Sequence, residues 1–158
     1  MALTKGVNSY ADVTDADTYF ADRLDAAAWT AADVTAKSQA LVTATGVLEN
    51  MSWTGVAMSQ TQDLAFPRYG TYFDPRIGAR IDIGDSTPPR VFTASIELAY
   101  HFLNNDGILD NTGTVKDIEV GSIKLTEVIA PNLIPGIVKR LIKPLLVNAG
   151  ANSWWRAN

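Results

Sequence analysis

TPPRVFTASIELAYHFLN, residues 87–104, is the segment from which the fold can be read. Pro88 and Pro89 suit the first turn of a helix, where a missing N–H has no partner to lose. Ser86 or Thr87 can cap that turn. Val91, Ala94, Ser95, Leu98, Ala99, Phe102 and Leu103 then recur at helical spacing. The small members of the stripe, Ala94, Ser95 and Ala99, would let neighbouring helices approach closely. The segment reads as a central core helix, and it carries no recognisable catalytic group.

Upstream, Thr14 and Asp17 resemble a capping box with Asp in place of Glu. Ala16, Tyr19, Phe20 and Leu24 supply one apolar face, which predicts a first helix over about 15–24. AAAWT follows, and Trp29 is expected to plug the corner into a second helix. That helix starts from Thr30 or Asp33 and runs to about Glu49, with Ala36, Ala40, Leu41, Ala44, Val47 and Leu48 in phase. Residues 51–86 change character: glycines and prolines punctuate short apolar pieces. So long a connection without regular structure is usually functional or disordered, but Trp53, Phe66, Tyr69, Tyr72 and Phe73 argue for order, at least against a partner. RIGARIDIGD, residues 76–85, alternates enough for a short strand pair or a protruding arm.

Downstream of the core helix, NNDGILDNTG is turn-rich and lacks the closing Glu of a calcium loop. VKDIEVGSIKLTEV, residues 115–128, alternates with period two on either side of Gly121-Ser122, as a β-hairpin does. The hairpin either covers its own core or adds strands to a neighbour's sheet edge. A last helix carries Ile134, Ile137, Val138, Leu141, Ile142, Leu145 and Leu146, with Lys139, Arg140 and Lys143 opposite; Pro144 should kink or end it. The fold class is thus mainly α: a small bundle of about four helices with one β-hairpin and a long loop or arm. Residues 1–147 form a single domain, and 148–158 form a C-terminal tail.

Composition narrows the function. At 158 residues and 47% hydrophobic, the chain has enough material for one core. The absence of cysteine excludes disulfides and thiolate metal sites, and the single His101 excludes a histidine cluster. His101 reads as structural. No P-loop, dinucleotide fingerprint or HExxH motif is present, and Asp15, Asp17 and Asp22 do not share one helix face. The expectation is a non-enzyme with no cofactor. No apolar run approaches the roughly 20 residues of a membrane helix, and MALTKGVNSY lacks a signal-peptide core, so a soluble chain made in a cytoplasm is expected.

A net charge of −4 argues against a strong nucleic-acid binder, which usually shows a basic footprint. The charge is uneven, however. The front holds Asp12, Asp15, Asp17, Asp22, Asp25 and Asp33, whereas residues 134–158 hold Lys139, Arg140, Lys143 and Arg156 with no acid. Head-to-tail neighbours in an oligomer could exploit this; two solvated faces are the plainer reading. Arg68, Tyr69, Tyr72, Phe73, Arg76, Arg80 and Arg90 come nearest to a basic-aromatic groove, but Asp74, Asp82 and Asp85 interrupt them. An arm at an assembly interface and an arm lining a DNA channel fit equally well. The tail ends in Trp154, Trp155 and Arg156, types that dominate binding hot spots; alternatively the two tryptophans fold back on the core.

NSYADVTDADTYFADRLDAAAWTAA, WTG at 53–55, QDLAFPR at 62–68, the PPRVFTASIELAYHFL helix and the VGSIKL hairpin occur in one order. That order resembles the tailed-bacteriophage head–tail connector proteins, also called adaptor or head-completion proteins. Many relatives carry the label DnaT-like single-stranded DNA-binding protein. The family tends to have Trp before Pro-Arg, where this chain has Phe66. The resemblance implies a mostly helical subunit of the virion neck. It would assemble as a ring, typically of twelve, beneath the portal protein, extend the DNA channel and offer a platform to the tail. On that reading Trp154, Trp155 and Arg156 grip the portal. Phe66, Arg68, Tyr69, Tyr72, Arg76 and Arg80 serve inter-subunit or tail-side contacts. The alternative, following the label, is a single-stranded DNA-binding or replication-accessory protein.

Overall fold

The computed structural model describes residues 2–104 and 134–147, together with the backbone of 117–120 and 123–126. The chain is mainly α-helical. In order, it forms α1 (Val13–Ala21), α2 (Ala27–Ala31), α3 (Val34–Glu49), β1 (Val56–Ala57), β2 (Arg68–Tyr69), β3 (Thr71–Asp74), β4 (Ala79–Asp82), α4 (Pro89–Asn104), β5 (Asp117–Val120), β6 (Ile123–Thr126) and α5 (Gly136–Ile142). A 3₁₀ turn, Lys143–Leu145, follows α5. Each strand pairs antiparallel with its successor, β1 with β2, β3 with β4 and β5 with β6.

The expected core helix is α4, which packs against α2, α3 and α5. Val91, Ala94, Ser95, Leu98, Ala99 and Phe102 of the predicted stripe are buried, and so are Ile96 and Glu97 outside it. The helix is enclosed on more than one side. Full burial of Ile96 and Leu98 contributes about 1.5–3 kcal/mol each. Glu97 is tolerated because Arg23 Nε lies 3.0 Å away and Tyr19 Oη donates to it at 2.5 Å. Burial and that bond to a carboxylate push the Tyr19 hydroxyl up to about 12.

The first helix begins and ends earlier than expected. Its capping box is Asp12 with Asp15, not Thr14 with Asp17: each carboxylate accepts from the other residue's N–H. Overlapping DxxD and TxxD patterns made the wrong pair as readable as the right one. The helix stops at Ala21, and Leu24 is 93% exposed rather than part of an apolar face. Asp25 turns the backbone through a positive φ of 57° there. Arg23, in the same turn, lays its guanidinium 4.6 Å from the centre of the Tyr100 ring. Four acids of the front, Asp12, Asp15, Asp17 and Asp33, are engaged rather than simply solvated. Asp33 caps α3, Asp15 pairs with Lys5, and Asp17 accepts from Lys37 and from Trp29 Nε1.

Trp29 plugs the corner as anticipated, carried on α2, a short helix the sequence did not announce. Its ring sits 5.0 Å from that of Phe20. Residues 51–86 are largely tied to the bundle by their own aromatics. Trp53 is buried, donates Nε1 to Leu48 O at 3.0 Å and meets Phe66 edge-on at 5.0 Å. Glu49 accepts from the Tyr10 hydroxyl and from Ala65 N–H, and Tyr10 touches Phe66 in turn. The segment crosses itself at Gly55 and Gly70, both at positive φ. A Cβ on Gly55 would strike the Tyr69 carbonyl, and one on Gly70 would press on Gly55 Cα. The strand pair expected within 76–85 instead spans 71–82 as β3–β4. β5 and β6 realise the hairpin read at 115–128. α5 gives way to the 3₁₀ turn at Pro144, as a missing donor requires.

Candidate nucleic-acid interface

A cleft of about 540 Å³ lies between the β3–β4 hairpin and the end of α5. Thr71 and Phe73 of β3 and Arg80 of β4 form one wall. Arg140 of α5, Lys143 and Pro144 of the 3₁₀ turn, and Leu146 with Val147 form the other. Thr54, Tyr72 and Pro75 complete the lining.

Two local rules produce this arrangement. Side chains alternate along a strand: Tyr72 and Asp74 point inward and are buried, while Thr71 and Phe73 point outward. Phe73 is directly opposite Arg80 in the ladder, so ring and guanidinium share the exposed face. On the facing wall, Arg140 and Lys143 are three residues apart, the spacing that makes helical side chains neighbours. The second wall is stitched in place by backbone. Thr54 N–H donates to Leu145 O at 2.8 Å, Val147 N–H donates to Ser52 O at 2.8 Å, and Trp53 bridges Leu146.

The hairpin is fixed by a buried carboxylate. Asp74 is inaccessible to solvent and accepts from Arg76 N, Nε and Nη2 and from Arg90 Nη2 at 2.8 Å. Arg90 opens α4, so the contact latches the hairpin to the central helix. Hydrogen bonds from Arg76 and Arg90 hold the Asp74 carboxyl well below the usual carboxylate range. Of the three acids that interrupt the basic run, Asp74 is therefore turned inward and ion-paired, while Asp85 is exposed outside the cleft lining. Asp82 remains exposed, opposite Thr71, but does not line the cleft.

Arg80, Arg140 and Lys143 thus face a common hollow whose lining contains no carboxylate. A half-exposed aromatic ring, Phe73 at 51%, stands among them. Such a surface suits an elongated anion with flat apolar parts. A second hollow, of about 810 Å³ between the N-terminal segment, α1 and α3, has Asp12 as its one charged lining residue and does not suit an anion.

The candidates from the sequence fall into separate places. Phe66 and Tyr72 are core residues, at 4% and 5% exposure; Tyr72 borders the cleft, and Phe66 does not. Arg68 is used internally: its guanidinium donates to the carbonyls of Thr54 at 2.9 Å, Gly55 at 2.7 Å and Ala65 at 3.3 Å. Tyr69 is exposed beside its cross-strand partner Val56. Arg76 is exposed at the hairpin turn while clamped on Asp74. Arg80 is in the cleft. Trp154, Trp155 and Arg156, with the rest of 148–158, lie outside the described residues, as does most of the turn-rich segment after α4. Phe73 belongs to the basic-aromatic run read from the sequence, whereas Arg140 and Lys143 figure there only as part of the basic rear of the chain. The alternation from Tyr72 to Asp74 could have separated Phe73 from Tyr72, but nothing in the sequence joins residues 73 and 140.

A family model described as "Putative DnaT-like ssDNA binding protein" matches residues 2–156. The chain belongs to this DnaT-like family. No curated protein and no solved structure matches it. The DnaT-like label carried by the motif order is met at the level of family, whereas the match says nothing of a head–tail connector. In this DnaT-like chain two of the stretches quoted from the sequence have structural duties. WTG brings Trp53 to the core and Gly55 to the crossing. QDLAFPR sets Phe66 against Trp53 and Arg68 on the surrounding carbonyls. Of the residues in these two motifs, Thr54 lines the cleft.

Proposed function

We propose that this chain binds single-stranded DNA, with the phosphate backbone drawn into the cleft by Arg80, Arg140 and Lys143. The observation that carries the reading is the convergence of three cations from two distant parts of the chain, with no acid among the lining residues, in a protein whose net charge is −4. The family description points the same way. The chemistry is binding without turnover: cations replace counterions on the strand, and sequence is not read by a phosphate contact. Fluorescence anisotropy with a labelled oligothymidine at physiological salt tests it. Micromolar or tighter binding is expected, abolished by R140E/K143E with an unchanged circular dichroism spectrum. Failure of the wild-type chain to bind below about 100 μM, the weak end of non-specific affinity, overturns it.

A second reading, the virion neck adaptor, is favoured by a different observation. Asp22, Asp25 and Asp33 are exposed around α2, while Arg140 and Lys143 are exposed at the other end of the sequence. Such faces complement one another between like subunits of a closed ring. Val56, Tyr69 and Ile77 are exposed apolar groups that a neighbour would cover. On this reading the chain docks on a portal protein, as one of about twelve copies, through Trp154, Trp155 and Arg156. Negative-stain imaging of the chain mixed with portal rings tests it: an added density layer supports the adaptor, and bare portals refute it.

A further inference from the structure

Resting on the single-strand reading of the cleft, we propose that Phe73 is the residue that makes this site prefer a single strand over a duplex, by stacking on an unpaired base. The ring is half exposed, yet it lies inside a concave site rather than on a convex surface. Its own strand fixes its direction, since Tyr72 and Asp74 on either side are buried. The Asp74 bonds to Arg76 and Arg90 hold that strand against α4, so the ring is presented by a rigid wall. Arg80 stands opposite in the ladder, and Arg140 and Lys143 face it across the hollow. A strand lying between the walls can place its phosphates near the cations and turn one base toward the ring.

The discrimination follows from what each nucleic acid can offer. Phosphates are present on both forms, so the cations alone attract both. Base faces are available only where bases are unstacked, because a duplex covers them with neighbouring pairs. An aromatic platform therefore adds affinity for the single strand alone, and adds it with little regard to sequence. Removing the ring should leave a weaker site that no longer distinguishes the two.

The experiment compares wild type, F73A, F73L and F73W against an oligothymidine and a blunt duplex of equal length, at one salt concentration. F73A is expected to lose about tenfold or more in single-strand affinity, with duplex affinity unchanged. F73L keeps apolar bulk without a π face and should behave like F73A; F73W should retain the preference. Because the ring is half exposed, the variants should keep the wild-type melting profile. Equal losses on both nucleic acids, an unchanged preference in F73A, or full rescue by Leu would overturn the role of Phe73 while leaving the binding reading intact. A wild-type chain that binds neither nucleic acid would overturn both.

Discussion

Stepwise removal of the cleft cations has a result that can be worked out in advance. For single strands, the slope of log affinity against log salt is about −0.7 per neutralised phosphate. The lining supplies Arg80, Arg140 and Lys143, so if each meets one phosphate the wild-type slope should be about −2. Affinity should then fall about twentyfold between 50 and 200 mM salt. R80A, R140A and K143A should each flatten the slope by about 0.7, and the triple variant should approach zero. Lys5 pairs with Asp15 and does not line the cleft, so K5A serves as the control and should keep the full slope. Anisotropy titrations of an oligothymidine at four or five salt concentrations provide the measurement. A triple variant that retains the wild-type slope would show that the phosphates are held elsewhere, whatever the absolute affinity.

Three further outcomes test the framework around the cleft. The Asp74 carboxyl is held low by Arg76 and Arg90, so its contribution to stability is present above the ordinary carboxylate range. It is lost as pH falls through the depressed value. Thermal melts between pH 5 and 2 should therefore show a steeper decline for wild type than for D74N, and parallel curves would sink the latch. Gly55→Ala should destabilise by more than about 2 kcal/mol, since the new Cβ meets the Tyr69 carbonyl at a positive φ. Gly6→Ala, at positive φ in open space, should lose only about 1–2 kcal/mol by denaturant unfolding. Arg68→Lys should cost about 1–3 kcal/mol, because one ammonium cannot serve several carbonyls as a planar fork does. Its salt slope for binding should stay unchanged, which distinguishes a structural arginine from a phosphate contact.

The legible parts of this sequence were those set by local chemistry. Prolines 88 and 89 with the following stripe gave α4 and its orientation, although the burial of Ile96 and Glu97 was not visible. A helix enclosed on several sides breaks its own amphipathic pattern, and a buried Glu depends on Arg23 and Tyr19 from another element. Pro144 marked the end of α5, and the alternation around Gly121-Ser122 marked β5–β6. The first cap was misplaced because two overlapping motifs competed within six residues. The site was harder. Asp74 reads as a surface acid that spoils a basic patch, and only the tertiary approach of Arg90 turns it inward. Phe66 and Tyr72 looked like sticky surface for the same reason: their partners, Tyr10 and Trp53 around Phe66 and the body beneath β3 for Tyr72, come from other segments. The facing of Arg80 by Arg140 is a contact between distant stretches, which no periodicity encodes.

The net charge of −4 remains the strongest objection to an anionic ligand, and the way the acids are used answers it. Asp12 and Asp33 cap helices, Asp15 and Asp17 pair with lysines, and Glu97 and Asp74 are buried against arginines. Charges so paired project little field beyond the Debye length of about 10 Å at 0.1 M salt. What the strand would feel is the local balance at the cleft, and there the nearest unneutralised acid in the hairpin is Asp82, on the exposed face opposite Thr71. It should repel the ligand without touching it. D82N should therefore tighten oligothymidine binding by about 1.4- to fivefold at low salt, the range of a surface charge interaction of roughly 0.2–1 kcal/mol. The gain should vanish as salt rises, because the effect is long-range and screened. An affinity that is unchanged at low salt, or a gain that persists at high salt, would mean that the strand does not pass this face of the hairpin.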